Sequence, residues 1–170
     1  MSLIVETGAG LPDANSYASV ASADAYYAQR GNAEWGGLST AAKEAALILA
    51  TDYLEATYTE AWKGERVSGT QSLAWPRYDV IVDGYELLSN ALPIKLVHAC
   101  IELAIRANSG PLIIDQDQRI VREKVDVVEV EYAEFSDPTK RYPAVSRLLA
   151  SLLRGATADA GIGTARLVRA

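Results

Sequence analysis

The chain has 170 residues, 49% of them hydrophobic, and a formal net charge of −6, which suits one domain with a sizeable core and excludes a chain disordered by composition. No run approaches the roughly 20 apolar residues of a membrane-crossing helix, and the start, Met1 to Glu6, lacks the basic flank and apolar length of a secretory leader, so folding is expected in the cytoplasm. A lone cysteine, Cys100, excludes an intramolecular disulfide, and the acidic balance argues against nucleic acid as the main ligand, because phosphate binding needs clustered Lys and Arg.

In chain order, the first predicted helix runs from Val20 to Arg30, with Ser19 as its N-cap and Gly31 closing it. Ala23, Tyr26 and Tyr27 give it an apolar side. Trp35-Gly36-Gly37 reads as a turn. Ser39 or Thr40 then caps a longer helix to about Ala56 or Tyr58, with Ala42, Ala45, Ala46, Leu49, Tyr53 and Ala56 as its predicted buried face. Residues 62–92 are punctuated by Trp62, Gly64, Gly69, Trp75-Pro76 and Asp83-Gly84 too often for another long element. Trp75 and Tyr78 are expected to anchor this connection to the core, a functional aromatic platform being the alternative.

Pro93 suits the first turn of a third helix reaching Asn108, with Gly110-Pro111 ending it and Val97, Cys100, Ile101, Ala104 and Ile105 as the apolar stripe. From Ile120 to Tyr132 the period changes to two. Val125 and Val127, then Val130 and Tyr132, alternate with Asp126, Glu129 and Glu131, slipping by one residue at Val127-Val128, which predicts an extended β segment with a bulge. A valine-rich strand of this kind needs a partner, so Val125, Val127, Val130 and Tyr132 are expected at a boundary between subunits. Tyr142-Pro143 opens a last helix whose stripe is Val145, Leu148, Leu149, Leu152 and Leu153, ended by Gly155.

Residues 155–165 are small and glycine-rich, and Arg166-Leu167-Val168-Arg169 follows. A sticky tip on a flexible tether reads as a docking arm, against the alternative of a frayed terminus. Charge divides in the same place. Residues 1–139 carry 10 Lys+Arg against 21 Asp+Glu, a balance of −11, whereas 140–170 carry six basic residues against Asp159, a balance of +5. An acidic body with a basic end suits self-association or a partner of opposite charge, and a merely solvated surface is the other reading.

The expected architecture is therefore mainly α: a small bundle of about four helices with an extended β segment or hairpin over residues 1–154, and a C-terminal docking arm over 155–170.

Candidate chemistry is sparse. His98 is the sole histidine, so no multi-histidine metal site can form, and any Ser–His–acid arrangement would have to use it without a nucleophile-elbow pattern. Cys100 falls within an apolar stripe, which favours a buried thiol over a nucleophile. Asp115-Gln116-Asp117 lacks the glycine and distant glutamate of a calcium loop, and Gly8-Ala9-Gly10 lacks the lysine and strand–helix context of a phosphate loop. The expectation is no enzyme activity, no catalytic residues, no metal and no cofactor.

The stretches Ala14-Asn15-Ser16-Tyr17-Ala18-Ser19-Val20, Lys43-Glu44-Ala45-Ala46-Leu47, Leu73-Ala74-Trp75-Pro76-Arg77, Asp83-Gly84, Leu92-Pro93 and Arg166-Leu167-Val168-Arg169 occur in an order that resembles a bacteriophage family. Its members are often labelled DnaT-like single-stranded-DNA-binding proteins and resemble head–tail connector, or adaptor, proteins of tailed phages. The resemblance implies a homo-oligomeric, twelve-membered ring that joins the portal protein to the tail or to a further connector, in a virion assembled within a bacterial host. It implies that the extended segment reaches a neighbouring subunit and that the arm reaches the portal, with passing contact with packaged DNA and no membrane partner. The label itself implies the alternative, a primosome-type accessory protein binding single-stranded DNA. A third reading is another oligomeric virion or host protein.

Overall fold

The computed structural model describes residues 2–113, 122–125, 128–131 and 142–155. Among them are five α-helices: α1 (Val20–Ala28), α2 (Ala33–Gly36), α3 (Thr40–Tyr58), α4 (Ile94–Asn108) and α5 (Pro143–Leu149). The chain is thus mainly helical, as the periodicity predicts. Side-chain oxygens satisfy the free amides at the helix starts: Ser22 N donates to Ser19 Oγ at 3.1 Å, Trp35 N to Asn32 Oδ1 at 3.2 Å and Ala42 N to Ser39 Oγ at 3.2 Å. Pro143 occupies the first position of α5, where a missing N–H is harmless.

Helix α1 ends at Ala28, two residues before the predicted Arg30. Asn32 N turns back to Tyr27 O at 3.1 Å across Gly31, whose φ of +64° a side chain would resist. Asn32 then caps α2, so the turn read at Trp35 is a one-turn helix with Trp35 buried.

The core lies between α3 and α4; α5 packs on α4 and also reaches α3, Ser146 Oγ lying 3.0 Å from Tyr58 Oη, and α1 packs on both α3 and α4. This arrangement corrects the predicted face of α3. Ala46, Leu47, Ala50, Thr51, Tyr53 and Leu54 are buried, whereas Ala45 and Ala56 are exposed, Ala42 is intermediate and Leu49 is 51% exposed. The true stripe is rotated by about one residue. Alanines fit either side of a helix, and the larger Leu47 and Leu54, seven apart, decide which side faces α4. Helix α4 is flanked on two sides. Leu96, Ala99 and Leu103 are therefore buried along with the predicted Cys100, Ile101 and Ala104, while Val97 and Ile105 are half-buried.

Between α3 and α4 the chain makes two minimal antiparallel ladders. Strand β1 (Glu65–Arg66) pairs with β2 (Arg77–Tyr78), and β3 (Ile81–Val82) with β4 (Tyr85–Glu86). Asp83 and Gly84 both have positive φ, 53° and 84°, the conformation of the two-residue turn that matches strand twist and that Asp-Gly favours. Trp75 is fully buried and meets Trp62 edge to face at 5.9 Å. Tyr78, expected to be a second anchor, is instead 39% exposed, because its neighbour in β2, Arg77, faces inward and alternation turns Tyr78 outward.

Strand β5 (Arg122–Val125) pairs antiparallel with β6 (Val128–Glu131), Val125 opposite Val128 and Glu123 opposite Val130. The slip in period at Val127-Val128 is thus a reversal of the chain between two strands, not a bulge within one. After α5, a 3-10 turn (Ala150–Leu152) returns the chain to the segment after α3: Lys63 N donates to Leu152 O at 3.0 Å and Arg154 N to Ala61 O at 2.6 Å. That return places Arg154 beside Gly64.

Candidate functional site

A polar cluster gathers around the half-buried Glu55, on the last turns of α3. Tyr17 Oη donates to Glu55 Oε1, Ala74 N donates to Glu55 Oε2 at 3.0 Å, and Trp75 N donates to Tyr17 Oη at 3.2 Å. One carboxylate thereby ties the segment before α1 and the Leu73–Trp75 turn to α3. Burial pushes the Tyr17 hydroxyl well above its ordinary pKa, and the Glu55 charge adds to this. Burial also raises the Glu55 carboxyl, partly offset by the Tyr17 and Ala74 bonds and by Arg66 and Arg77.

Beside this clamp three guanidinium groups converge. Arg77 donates from Nε to Lys63 O at 2.7 Å, from Nη1 to Ala74 O at 3.1 Å and from Nη2 to Gly64 O at 2.7 Å. Arg154 Nη2 donates to the same Gly64 carbonyl at 2.8 Å, and Arg66 Nη2 to Gln71 O. Burial lowers the Arg77 pKa, and the Arg154 and Arg66 charges lower it further. Gly64 permits this convergence: at its φ of +64° a Cβ would stand 2.1 Å from Tyr78 O. The groups border an open cleft of about 500 Å³, lined by Glu55, Arg66, Ser68, Ser72, Arg77 and Arg154 among others.

Elsewhere the predicted absence of chemistry meets these surroundings. The His98 ring lies 4.8 Å from that of Tyr26, and its pKa is lowered, first by burial and then by the Arg30 charge. The Cys100 thiol is fully buried, 3.4 Å from Thr51 Oγ1, and burial pushes it up to about 11. Such a thiol is a poor nucleophile at neutral pH. No group of three or more His, Cys, Asp or Glu among the described residues is placed to hold a metal ion. The loop Gly8-Ala9-Gly10 does cradle an anion, but its own: Gly8 N, Gly10 N and Leu11 N donate to the buried Glu6 carboxylate at 2.8, 3.0 and 2.8 Å.

Exposed apolar side chains also occur about β3–β4: Ile81, Tyr85 and Leu88 are 59%, 77% and 74% exposed, with the register setting Ile81 and Tyr85 on opposite faces of the ladder. Among the predicted interface residues, Val125 lies at the end of β5 opposite Val128 and Val130 lies in β6 opposite Glu123. Val127, Tyr132 and the arm residues Arg166, Leu167, Val168 and Arg169 lie outside the described residues, as do Asp115 and Asp117. The guanidinium cleft escaped sequence reasoning, because its three arginines stand at positions 66, 77 and 154, far apart in the chain and outside any helix. The Asp83-Gly84 turn was the local signal for the β3–β4 ladder.

A family model described as "Putative DnaT-like ssDNA binding protein" matches residues 1–170. The chain belongs to that family. No curated protein and no solved structure matches it. Among the described residues, no helix is long and apolar enough to cross a membrane.

Proposed function

We propose that this protein is a structural adaptor of a tailed bacteriophage, assembling as a homo-oligomeric ring that joins the portal to the tail. One observation carries the reading: the β5–β6 ladder, two four-residue strands that pair only with each other among the described residues, in the connection between α4 and α5. An isolated two-stranded ladder is marginal in water and gains stability from a second chain. The exposed Ile81, Tyr85 and Leu88 are further apolar area that association could bury. In this reading Arg166, Leu167, Val168 and Arg169 dock the C-terminal arm on the portal, the apolar pair anchoring and the arginines flanking it.

The family description favours a second reading, a protein that binds single-stranded DNA. Arg66, Arg77 and Arg154 give it a local cationic site, yet among the described residues no aromatic ring lines that cleft for bases to stack on. Two measurements on the purified chain separate the readings. The adaptor predicts a defined particle of many subunits by native mass spectrometry and weak, sequence-independent binding of an oligo-dT probe. A monomer that binds oligo-dT tightly, with affinity falling steeply as salt rises, overturns the adaptor in favour of the second reading.

A further inference from the structure

Between Tyr78 and Ile94 the chain carries Asp79, Asp83 and Glu86 and no lysine or arginine. All three carboxylates are exposed, and neither ion pair among the described residues, Lys43–Asp24 or Arg106–Glu102, involves them. The β3–β4 ladder sorts its side chains onto two faces. Val80 is buried, Val82 and Leu87 pack against the core, and Leu87 N donates to Val80 O at 2.8 Å, which continues the pairing past the strands. Alternation therefore turns Ile81, Glu86 and Leu88 to the other face, where all three are exposed and Ile81 stands opposite Glu86. This outer face is apolar and acidic at once, so it suits a segment that is apolar and basic at once.

We propose that the outer face of β3–β4 seats the chain's own C-terminal tip, Arg166-Leu167-Val168-Arg169. Such seating needs neither the ring nor the portal. Three features select this occupant. The tip is an apolar pair between two arginines, and the rest of residues 156–170 carries only Asp159 as charge. Spacing agrees as well: in an extended segment Leu167 and Arg169 share one side about 7 Å apart, the interval at which Glu86 and Leu88 share the outer face. Laid antiparallel to β4, the segment sets Leu167 on Leu88 and Arg169 on Glu86. Reach is the third feature. Lys63 Nζ donates to Ile81 O at 3.3 Å and to Ser151 O at 2.9 Å, so β3 lies beside the turn from which the arm departs. A flexible tether over residues 156–165 spans roughly 17 Å and holds the tip near its own hairpin at about millimolar local concentration. Exposed ion pairs contribute little alone, so Leu167 anchors on the aliphatic side chains while the arginines set direction. The same tip cannot sit on the hairpin and on a portal together, so the seat keeps the arm until an outside partner takes it.

The test is disulfide trapping in the full chain, read on non-reducing gels at low protein concentration. Ser89→Cys with Ala170→Cys sets thiols just past the contact and leaves its residues in place, and Cys100 is fully buried. An intrachain disulfide should form about ten-fold or more faster than in Ala45→Cys with Ala170→Cys, whose first site is exposed on α3. Adding Leu167→Asp should slow the first reaction to the control rate. Glu86→Arg should slow it too, and Glu86→Arg with Arg169→Glu should restore it. If Glu86→Arg melts early, Leu167→Asp carries the test alone. Equal rates at the two sites, or a rate indifferent to Leu167→Asp, overturn this inference and leave the ring reading untouched. Covalent dimers in place of the intrachain product assign the seat to the arm of a second copy and overturn it as well.

Discussion

Glu55 shows how one side chain couples three parts of the chain. Its carboxylate accepts from Tyr17 and from Ala74 N, and Tyr17 in turn accepts from Trp75 N. Tyr17→Phe removes both roles of the hydroxyl and strands the Trp75 amide, so it should cost about 1–3 kcal/mol in denaturant unfolding. A change within 0.5 kcal/mol would show that water replaces the hydroxyl. The pH response has a definite sign. Burial raises the folded-state pKa of Glu55, so the folded chain holds that proton more tightly than the unfolded one. Its contribution is then fully present below the unfolded value and is lost as pH rises through the folded one. The melting temperature of the wild type relative to Glu55→Gln should therefore decline from about pH 4 to pH 7. A difference that grows over that range contradicts the burial account.

At the scale of elements, helix existence is legible and helix orientation is not. Ser19, Ser39 and Pro143 mark three helix starts because caps act through the nearest few amides, and the sequence carries that information locally. The face of α3 depends on where α4 lies, and Ala42, Ala45 and Ala56 are too small to declare a side. This gives a paired prediction. Leu54→Ala should cost about 2–5 kcal/mol, as for a fully buried leucine, while Leu49→Ala should stay within about 0.5 kcal/mol. Equal costs would mean that α3 is rotated as its alanines suggest. Gly64→Ala should be as harmful as Leu54→Ala, since a Cβ there meets backbone on the neighbouring strand. The cleft that Gly64 shapes could not be read beforehand, because Arg66, Arg77 and Arg154 meet only once α5 has returned to the end of α3.

For the whole molecule the question is which surfaces face water and which face another chain, and the β5–β6 ladder is the place to test it. Its four Cα pairs alternate between Arg122–Glu131 and Lys124–Glu129 on one register set and Glu123–Val130 and Val125–Val128 on the other. The first set places opposite formal charges at paired positions. The second joins three valines, and a two-stranded ladder cannot shield both of its own faces. Val130→Asp sets a carboxylate directly opposite Glu123, a like-charge cross-strand pair, and removes apolar area from the set that association would bury. If that set meets another subunit, the substitution should shift the chain from particle to monomer in sedimentation, while helical content and the melting temperature of the monomer stay near the wild type. Val125→Thr keeps the branched shape and should assemble nearly normally. If Val130→Asp instead lowers the melting temperature of the isolated monomer, the ladder belongs to the core of its own subunit, and the proposed assembly loses the observation that carries it.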